Sequence, residues 1–412
     1  MIKYFQKSPA ELDRYRYGPL GPHLDCFARW LSDQGYANQT GLQKMRLIAF
    51  WGRWLGQKHI GIHELDEQRI ADFRKAQRKA LLRHHEVQRT LTQLLHCLRR
   101  ATIIPQPQHR PAPSPTDRLL QEYGQFLTQE RGLSQSTLLN YLPEARRFLE
   151  STLRAKALRL DSLTVQHINR FVLRDRAAFN PKRMQLSTTV LRSFLGFLYL
   201  RGQLSTPLAG AVPTVATWQW SKLPQGLEPE QVQGLLRSCD LTSPCGRRDH
   251  AALLLLARLG LRAGEVVHLC LEDIHWSSGD IVIRGKSARE DRLPLLPDVG
   301  RALATYLQKG RPPCSSRRVF IRMKAPQVGF STSAAVDDIV RRALRRAGLH
   351  PQRQGAHLLR HALATQMLRG GASLTQIGQI LRHQLPQTTE IYAKVNFQAL
   401  RALAQPWPGG VR

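Results

Sequence analysis

The residues best equipped for chemistry cluster near the C-terminus, in the run GAHLLRHALATQMLRGGASLTQIGQILRHQLPQTTEIYAKVNF that starts at Gly355. His357 and Arg360 are three apart, so a helix carries them on one face. An apolar helical stretch over 379–383 ends in a second histidine, His383. A Pro-bearing turn at 384–387 and a Thr388-Thr389 pair, read as a capped helix start, then lead to Tyr392. Together these types suit attack on a phosphodiester. Arginine clamps non-bridging oxygens through two N–H donors, imidazoles exchange protons, and a phenol supplies the nucleophile. Taken singly, each has a structural use as well: a packed tyrosine, a core histidine, an arginine on helix C-terminal carbonyls. The elements upstream must decide between the two uses.

A helical run at 251–259 leads into Gly-Leu-Arg-Ala-Gly-Glu at 260–265. Glu265 is three residues on from Arg262, close enough on a helix to orient it. Two short strand-like runs follow, at 280–284 and 292–296. The loop between them, 285–291, contains one lysine, Lys286, with Arg289 as the competing cation.

The order G-L-R-x-x-E, strand–G-K–strand, H-x-x-R-H, L-x-H and I-Y resembles the tyrosine recombinase (phage integrase) family, over about 225–400. One position departs: Arg382 stands where the family usually has glycine, which implies backbone strain or an altered phosphate contact. The resemblance implies that Tyr392 attacks to give a 3′-phosphotyrosyl link and a free 5′-hydroxyl. Bond energy is then retained, and neither ATP, another cofactor nor a metal is needed. It implies further that Arg262 and Arg360 hold the two non-bridging oxygens, for which lysine lacks the planar fork. Lys286 becomes the general acid for the leaving 5′-oxygen, His357 the proton-handling residue near Tyr392, and His383 a donor to the phosphate. Glu265 supports Arg262, and His361 is read as structural. A phenol with a pKa near 10 is weak at neutral pH and needs a nearby base.

Composition agrees with such a partner. The chain has 412 residues, with 61 Lys and Arg against 30 Asp and Glu, a formal charge of +31. That excess, mostly arginine, points to a polyanion, and double-stranded DNA is the expected partner. No apolar run reaches the ~18–20 residues of a membrane span, and the first 18 residues carry no apolar signal core. No membrane partner is expected; a cytoplasmic, nucleoid-associated bacterial protein is. Six cysteines (26, 97, 239, 245, 270, 314) lack zinc spacing and read as reduced thiols.

The fold class expected is mainly α with a small antiparallel β-sheet in the catalytic domain, in a multi-domain C-shaped DNA clamp. A helical domain at 1–103 and a second at 116–206 look like repeats. Leu65, Ile70 and Phe73 match Leu163, Ile168 and Phe171, and Gly35–Thr40 in one parallels Gly132–Thr137 in the other, at an offset near 97 residues. A proline-rich linker (104–115) separates them, and a second linker (207–224) precedes a catalytic domain at 225–412. The second helical domain resembles the family's core-binding, SAM-like domain, which grips one face of the duplex. Arg146, Arg147, Arg170, Arg174, Lys182 and Arg183 are its candidate DNA contacts. A basic helix adds Arg341, Arg342, Arg345 and Arg346, whose i, i+4 acidic partners are missing. The first domain reads as extra DNA binding, a second clamp or a protein-contact module. The amphipathic run 395–404 packs either on its own domain or, as in the family, on a neighbouring protomer. The function implied is site-specific strand cleavage and rejoining for integration or excision of a mobile element, by a homo-tetramer on two DNA sites, with or without sister recombinases. The alternatives are a type IB topoisomerase-like nicking–closing enzyme and a DNA-binding architectural member without catalysis. A full set of six catalytic residues argues against the last.

Overall fold

Apolar residues at helical spacing turn most of the chain into helices, and the fold is mainly helical with one small antiparallel sheet. The computed structural model describes residues 15–16, 18–77, 86–106, 114–152, 160–178, 180–215, 226–285, 290–383 and 385–393. Met1–Gln108 and Leu223–Arg412 make one compact unit, and His109–Lys222 makes the other.

The N-terminal region of the first unit runs through helices α1 (Leu24–Asp33), α2 (Asn38–Gln57), α3 (Glu67–Ala76) and α4 (Val87–Arg100). Phe27, Leu31, Trp51, Leu55, Ile70 and Phe73 close a core of their own. Lys44 is buried inside it, its ammonium donating to Thr90 Oγ1 (2.9 Å) and to Gln93 Oε1 and Glu86 Oε2 (both 3.3 Å).

The second unit repeats that order. Helices α5 (Pro115–Gln125), α6 (Gln135–Thr152), α7 (Val165–Ala178) and α8 (Pro181–Leu200) surround Tyr123, Leu127, Phe148, Ile168 and Phe171. Ser114 and Asn180 cap α5 and α8 by accepting from the backbone N–H of Asp117 (3.1 Å) and Arg183 (3.0 Å), and each helix opens on proline. Leu65, Ile70 and Phe73 and their matches Leu163, Ile168 and Phe171 are buried in the two regions. Gly35 and Gly132, in the turns before α2 and α6, both take left-handed backbone, φ 73° and 61°.

The C-terminal region of the first unit begins with α9 (Pro229–Arg237), opened by the expected proline. Helix α10 (Pro244–Arg258) buries Leu253, Leu254, Leu255 and Leu256. Then come α11 (Ala263–His268), β1 (Ile274–His275), β2 (Asp280–Arg284), β3 (Glu290–Pro294) and α12 (Pro297–Lys309). Helices α13 (Ala334–Arg346), α14 (Ala356–Arg369), α15 (Leu374–Ile380) and α16 (Gln387–Glu390) complete it. Helix α10 packs against α9, α11, α12, α13 and α14, which makes it the central rod of this core. The sheet order is β1-β2-β3, all antiparallel, with Ile281 opposite Leu293 and Asp280 opposite Pro294. The third strand lies two residues earlier than its expected 292–296. Its ladder partners end at Asp280, opposite Pro294, which has no N–H to extend the pairing. Strand β1, two residues long, was too short to be seen in the sequence. Within this unit the Gln327 N–H donates to the Gln34 carbonyl (3.0 Å). Among the described residues no helix is long and apolar enough to cross a membrane.

Candidate active site

Helix α14 starts where Asp337 on α13 accepts the Ala356 N–H at 2.9 Å. That cap sets His357, Arg360 and His361 in its first two turns. Arg360 is 4% exposed, its guanidinium donating to the carbonyls of Gly260 and Leu381. Gly260 ends α10's turn at φ 58°, and a Cβ there would lie 2.6 Å from Leu381 Cδ2, so glycine is required on both counts. Burial first, then Arg262 and Arg382, lower the Arg360 pKa to about 10, which still leaves it charged at neutral pH.

Arg262 is the N-cap of α11, and Glu265 sits at the third helical position. Glu265 Oε2 accepts the Arg262 backbone N–H (2.8 Å), and Oε1 accepts Arg262 NH1 (2.7 Å), so the i, i+3 pair is formed. Arg262 NH2 donates to the Arg382 carbonyl (3.2 Å). Glu265 is a buried carboxylate and not a surface charge. Burial alone would raise its pKa, but Arg382 first, then the bonds from Arg262, hold it below the usual carboxylate range.

Arg382 occupies the residue after the C-cap of α15 with φ 56°, where its N–H bonds Gln379 O and the His383 N–H bonds Gly378 O. This is the left-handed helix terminator that glycine favours. The side chain turns inward, with NH2 on Glu265 Oε2 (2.9 Å) and NH1 on Ile380 O (3.1 Å).

On the tyrosine side the hydrogen bond to the phenol comes from a residue the sequence reading took as structural. His361 Nδ1 lies 2.8 Å from Tyr392 Oη. His357, assigned by resemblance to proton handling near Tyr392, stacks edge-on to His361 with centroids 6.3 Å apart. The signal was present in the sequence, because His361 is four residues after His357 and so shares its helix face. Burial, then His357, Arg353 and Arg360, push the His361 pKa down to about 4. At neutral pH the ring is therefore uncharged, and with the proton on Nε2 its Nδ1 accepts from the phenol. His357 keeps an exposed edge, while the atoms crowding the rest of the ring, then Arg360, hold its pKa below the ordinary value. Tyr392 is 1% exposed, and burial raises it to about 12 against the pull of Arg360.

His383 Nδ1 lies 2.6 Å from Thr389 Oγ1, and burial, then Arg360 and Arg262, lower its pKa to about 4. The helix expected to start on Thr388-Thr389 instead starts at Gln387, with Pro386 as N-cap. Thr389 is buried, its hydroxyl spent on His383 rather than on a cap.

The candidate DNA contacts divide. Arg147 and Arg183 (2.6 Å) both pair with the buried Glu144, and Arg147 and Arg174 lie over the Phe171 ring at 4.6 and 5.5 Å. Arg146 pairs with Asp117 at 2.5 Å. Arg341 pairs with Asp338 on its own helix, so this helix does carry an acidic partner for its arginines, and Arg342 reaches Asp249 at 3.3 Å. Arg346 donates to the Ser238 carbonyl (3.0 Å). Arg170, Lys182 and Arg345 are exposed. Lys286, Arg289, the run 395–404 and most of the proline-rich linker lie outside the described residues. Among the described residues no group of three or more His, Cys, Asp or Glu is arranged to hold a metal.

Comparison with known proteins bears on the fold and the family. Residues 225–399 match the phage integrase family, and 120–202 match its N-terminal SAM-like domain. A Sinorhizobium fredii relative named as an integrase/recombinase, y4rA, is 41% identical over 418 residues, covering 99% of both chains. The tyrosine recombinase XerD of Mycobacterium tuberculosis is 29% identical over 310 residues, covering 70% of this chain and 96% of its own. Among solved structures, the XerH site-specific recombinase bound to its palindromic difH substrate, a post-cleavage complex, shares the fold. It has a TM-score of 0.55 at 20% identity, over 73% of this chain and 99% of that one. The chain belongs to the phage integrase family, the tyrosine recombinases.

Proposed function

We propose that this recombinase cleaves and rejoins double-stranded DNA through a 3′-phosphotyrosyl intermediate at Tyr392. The observation that carries the reading is the meeting of a neutral imidazole on a phenol, His361 on Tyr392, with a buried arginine, Arg360, that acts on both. In the reaction, the phenol oxygen attacks phosphorus while its proton passes to the imidazole, and the 5′-oxygen leaves with a proton from a general acid. Arg262 and Arg360 bind the non-bridging oxygens, where negative charge builds in the pentavalent transition state. Lys286 is the proposed acid, and His383 a donor to the phosphate. Because the arginines do the charge work, the step requires no metal in this account.

The proposal extends to the assembly. The chain acts in integration or excision of a mobile element, as a tetramer on two DNA sites, in which Arg170, Lys182 and Arg345 meet backbone phosphates. The second helical region, 116–206, serves as the core-binding domain. The first, 1–103, is its duplicate and adds DNA contacts beyond the core site. Support for the duplication comes from the shared helix order and the matched buried residues of α1–α4 and α5–α8.

The test is the purified chain on a nicked suicide duplex of its own element's end, with chelator present. A denaturant-resistant protein–DNA complex is the expected result. No complex, or one that appears only on adding magnesium, contradicts the reading.

A further inference from the structure

Arg382 is a buried cation that the cleavage scheme leaves without a task. Its side chain is 5% exposed and sits 2.9 Å from Glu265, while Arg262, on the same carboxylate at 2.7 Å, is 38% exposed. Two guanidiniums, those of Arg262 and Arg382, thus bond one carboxylate, and Arg360 feels its charge from the carbonyls of Gly260 and Leu381. Had Glu265 only Arg262 as partner, the pair would be close to neutral, and the outward-facing guanidinium would present little charge to an incoming anion. The inner guanidinium offsets the carboxylate from behind. Residue 382 also holds Arg262 a second way, since its backbone carbonyl accepts Arg262 NH2 at 3.2 Å. Its left-handed φ of 56° is a conformation glycine adopts freely and arginine does not. The bonds to Glu265 and to the Ile380 carbonyl are made by the guanidinium, which a glycine here would lack.

We infer that Arg382 is a positioning residue for strand cleavage: it neutralises Glu265 from the protein interior, so that Arg262 stays fixed yet meets the phosphodiester with its full charge. This rests on the cleavage reading above.

The experiment measures single-turnover cleavage of the suicide duplex by Arg382→Gly, Arg382→Met and Arg382→Lys, alone and with Glu265→Gln, beside duplex affinity and melting temperature. Glycine relieves the backbone and keeps the carbonyl contact, so that variant isolates the side chain. Arg382→Gly and Arg382→Met are expected to cleave about tenfold slower at near-unchanged duplex affinity, with Arg382→Lys recovering most of the rate. In the Glu265→Gln background the penalty should vanish, because no carboxylate remains to be neutralised. It should also shrink on a duplex with an uncharged methylphosphonate at the scissile position. Should the glycine variant fail to fold, the methionine and lysine pair carries the same comparison. Parent-like cleavage by the Gly and Met variants, equal rates for Met and Lys, or a penalty of the same size in the Gln background and on methylphosphonate, overturns the inference. If the parent chain forms no covalent complex, the cleavage reading falls with it; if it does, only the role of Arg382 is at stake.

Discussion

The two halves of the site are built differently. On the arginine side, Arg262, Arg360 and Arg382 are tied to Glu265 and to the carbonyls of Gly260, Ile380, Leu381 and Arg382 itself, between the ends of α10, α11 and α15. On the tyrosine side, Tyr392 follows a four-residue helix, and its hydroxyl has a hydrogen bond to His361. One half has its charges fixed before substrate arrives, as electrostatic catalysis requires. The other holds its nucleophile protonated, since burial has moved the phenol further from ionisation, to about 12. The contrast teaches that ionisation of Tyr392 depends on the phosphate reaching the arginines and on a base at the hydroxyl, rather than on a standing phenolate.

The sharpest way to break that division is to remove one arginine. Arg262→Ala should lower single-turnover cleavage by about 10³-fold, the scale for a lost oxyanion contact. A 5′-bridging phosphorothiolate, whose sulfur leaves without a proton, should not rescue it. Lys286→Ala should recover on that substrate if the lysine supplies the proton. Equal failure of the two variants would remove Lys286 from the acid role.

The next largest effect belongs to the tyrosine side. His361→Ala should slow cleavage by about 10²-fold with DNA affinity intact, and by more than His357→Ala does. The reverse order would return the base to His357.

A smaller effect appears in stability. His361 and His383 sit near pKa 4 when folded, below the ordinary value of 6.5. Between those limits the unfolded chain binds more protons, so stability falls as pH drops from about 6.5 toward 4. Melting temperature should decline through that window, and less steeply in His361→Gln. An unchanged slope would show that the histidine is not held neutral by burial.

The smallest effect tests the N-terminal region proposed as a duplicate. A 113–412 fragment should still cleave core DNA, with a shorter footprint and a salt slope lower by about 0.9 per lost phosphate contact. Unchanged footprint and slope, with assembly lost instead, would make 1–103 a protein-contact module.

What could be read in advance follows a physical rule. The Arg262–Glu265 pair, the His357–Arg360 helix and the strand at Asp280–Arg284 rest on local spacing, and each is found where the spacing put it. The tie between His361 and Tyr392 spans 31 residues, and that between Arg382 and Glu265 spans 117; helical spacing puts His361 on the face of His357 but names the distant partner of neither His361 nor Arg382. Thr389 was misread for a different reason: its local preference for capping lost to a bond with His383, six residues back. The basic residues were harder still. Charge alone did not separate Arg183, bound to buried Glu144, from exposed Lys182 beside it.

The most direct measurement is covalent capture by Tyr392→Phe beside the parent chain. Only a hydroxyl is lost from a packed ring, so the variant should bind the suicide duplex with near-parent affinity. The parent should yield a denaturant-resistant adduct whose DNA maps to the peptide containing Tyr392, and the variant none. An adduct from the Phe variant at parent yield, or one mapped to another residue, would contradict the account.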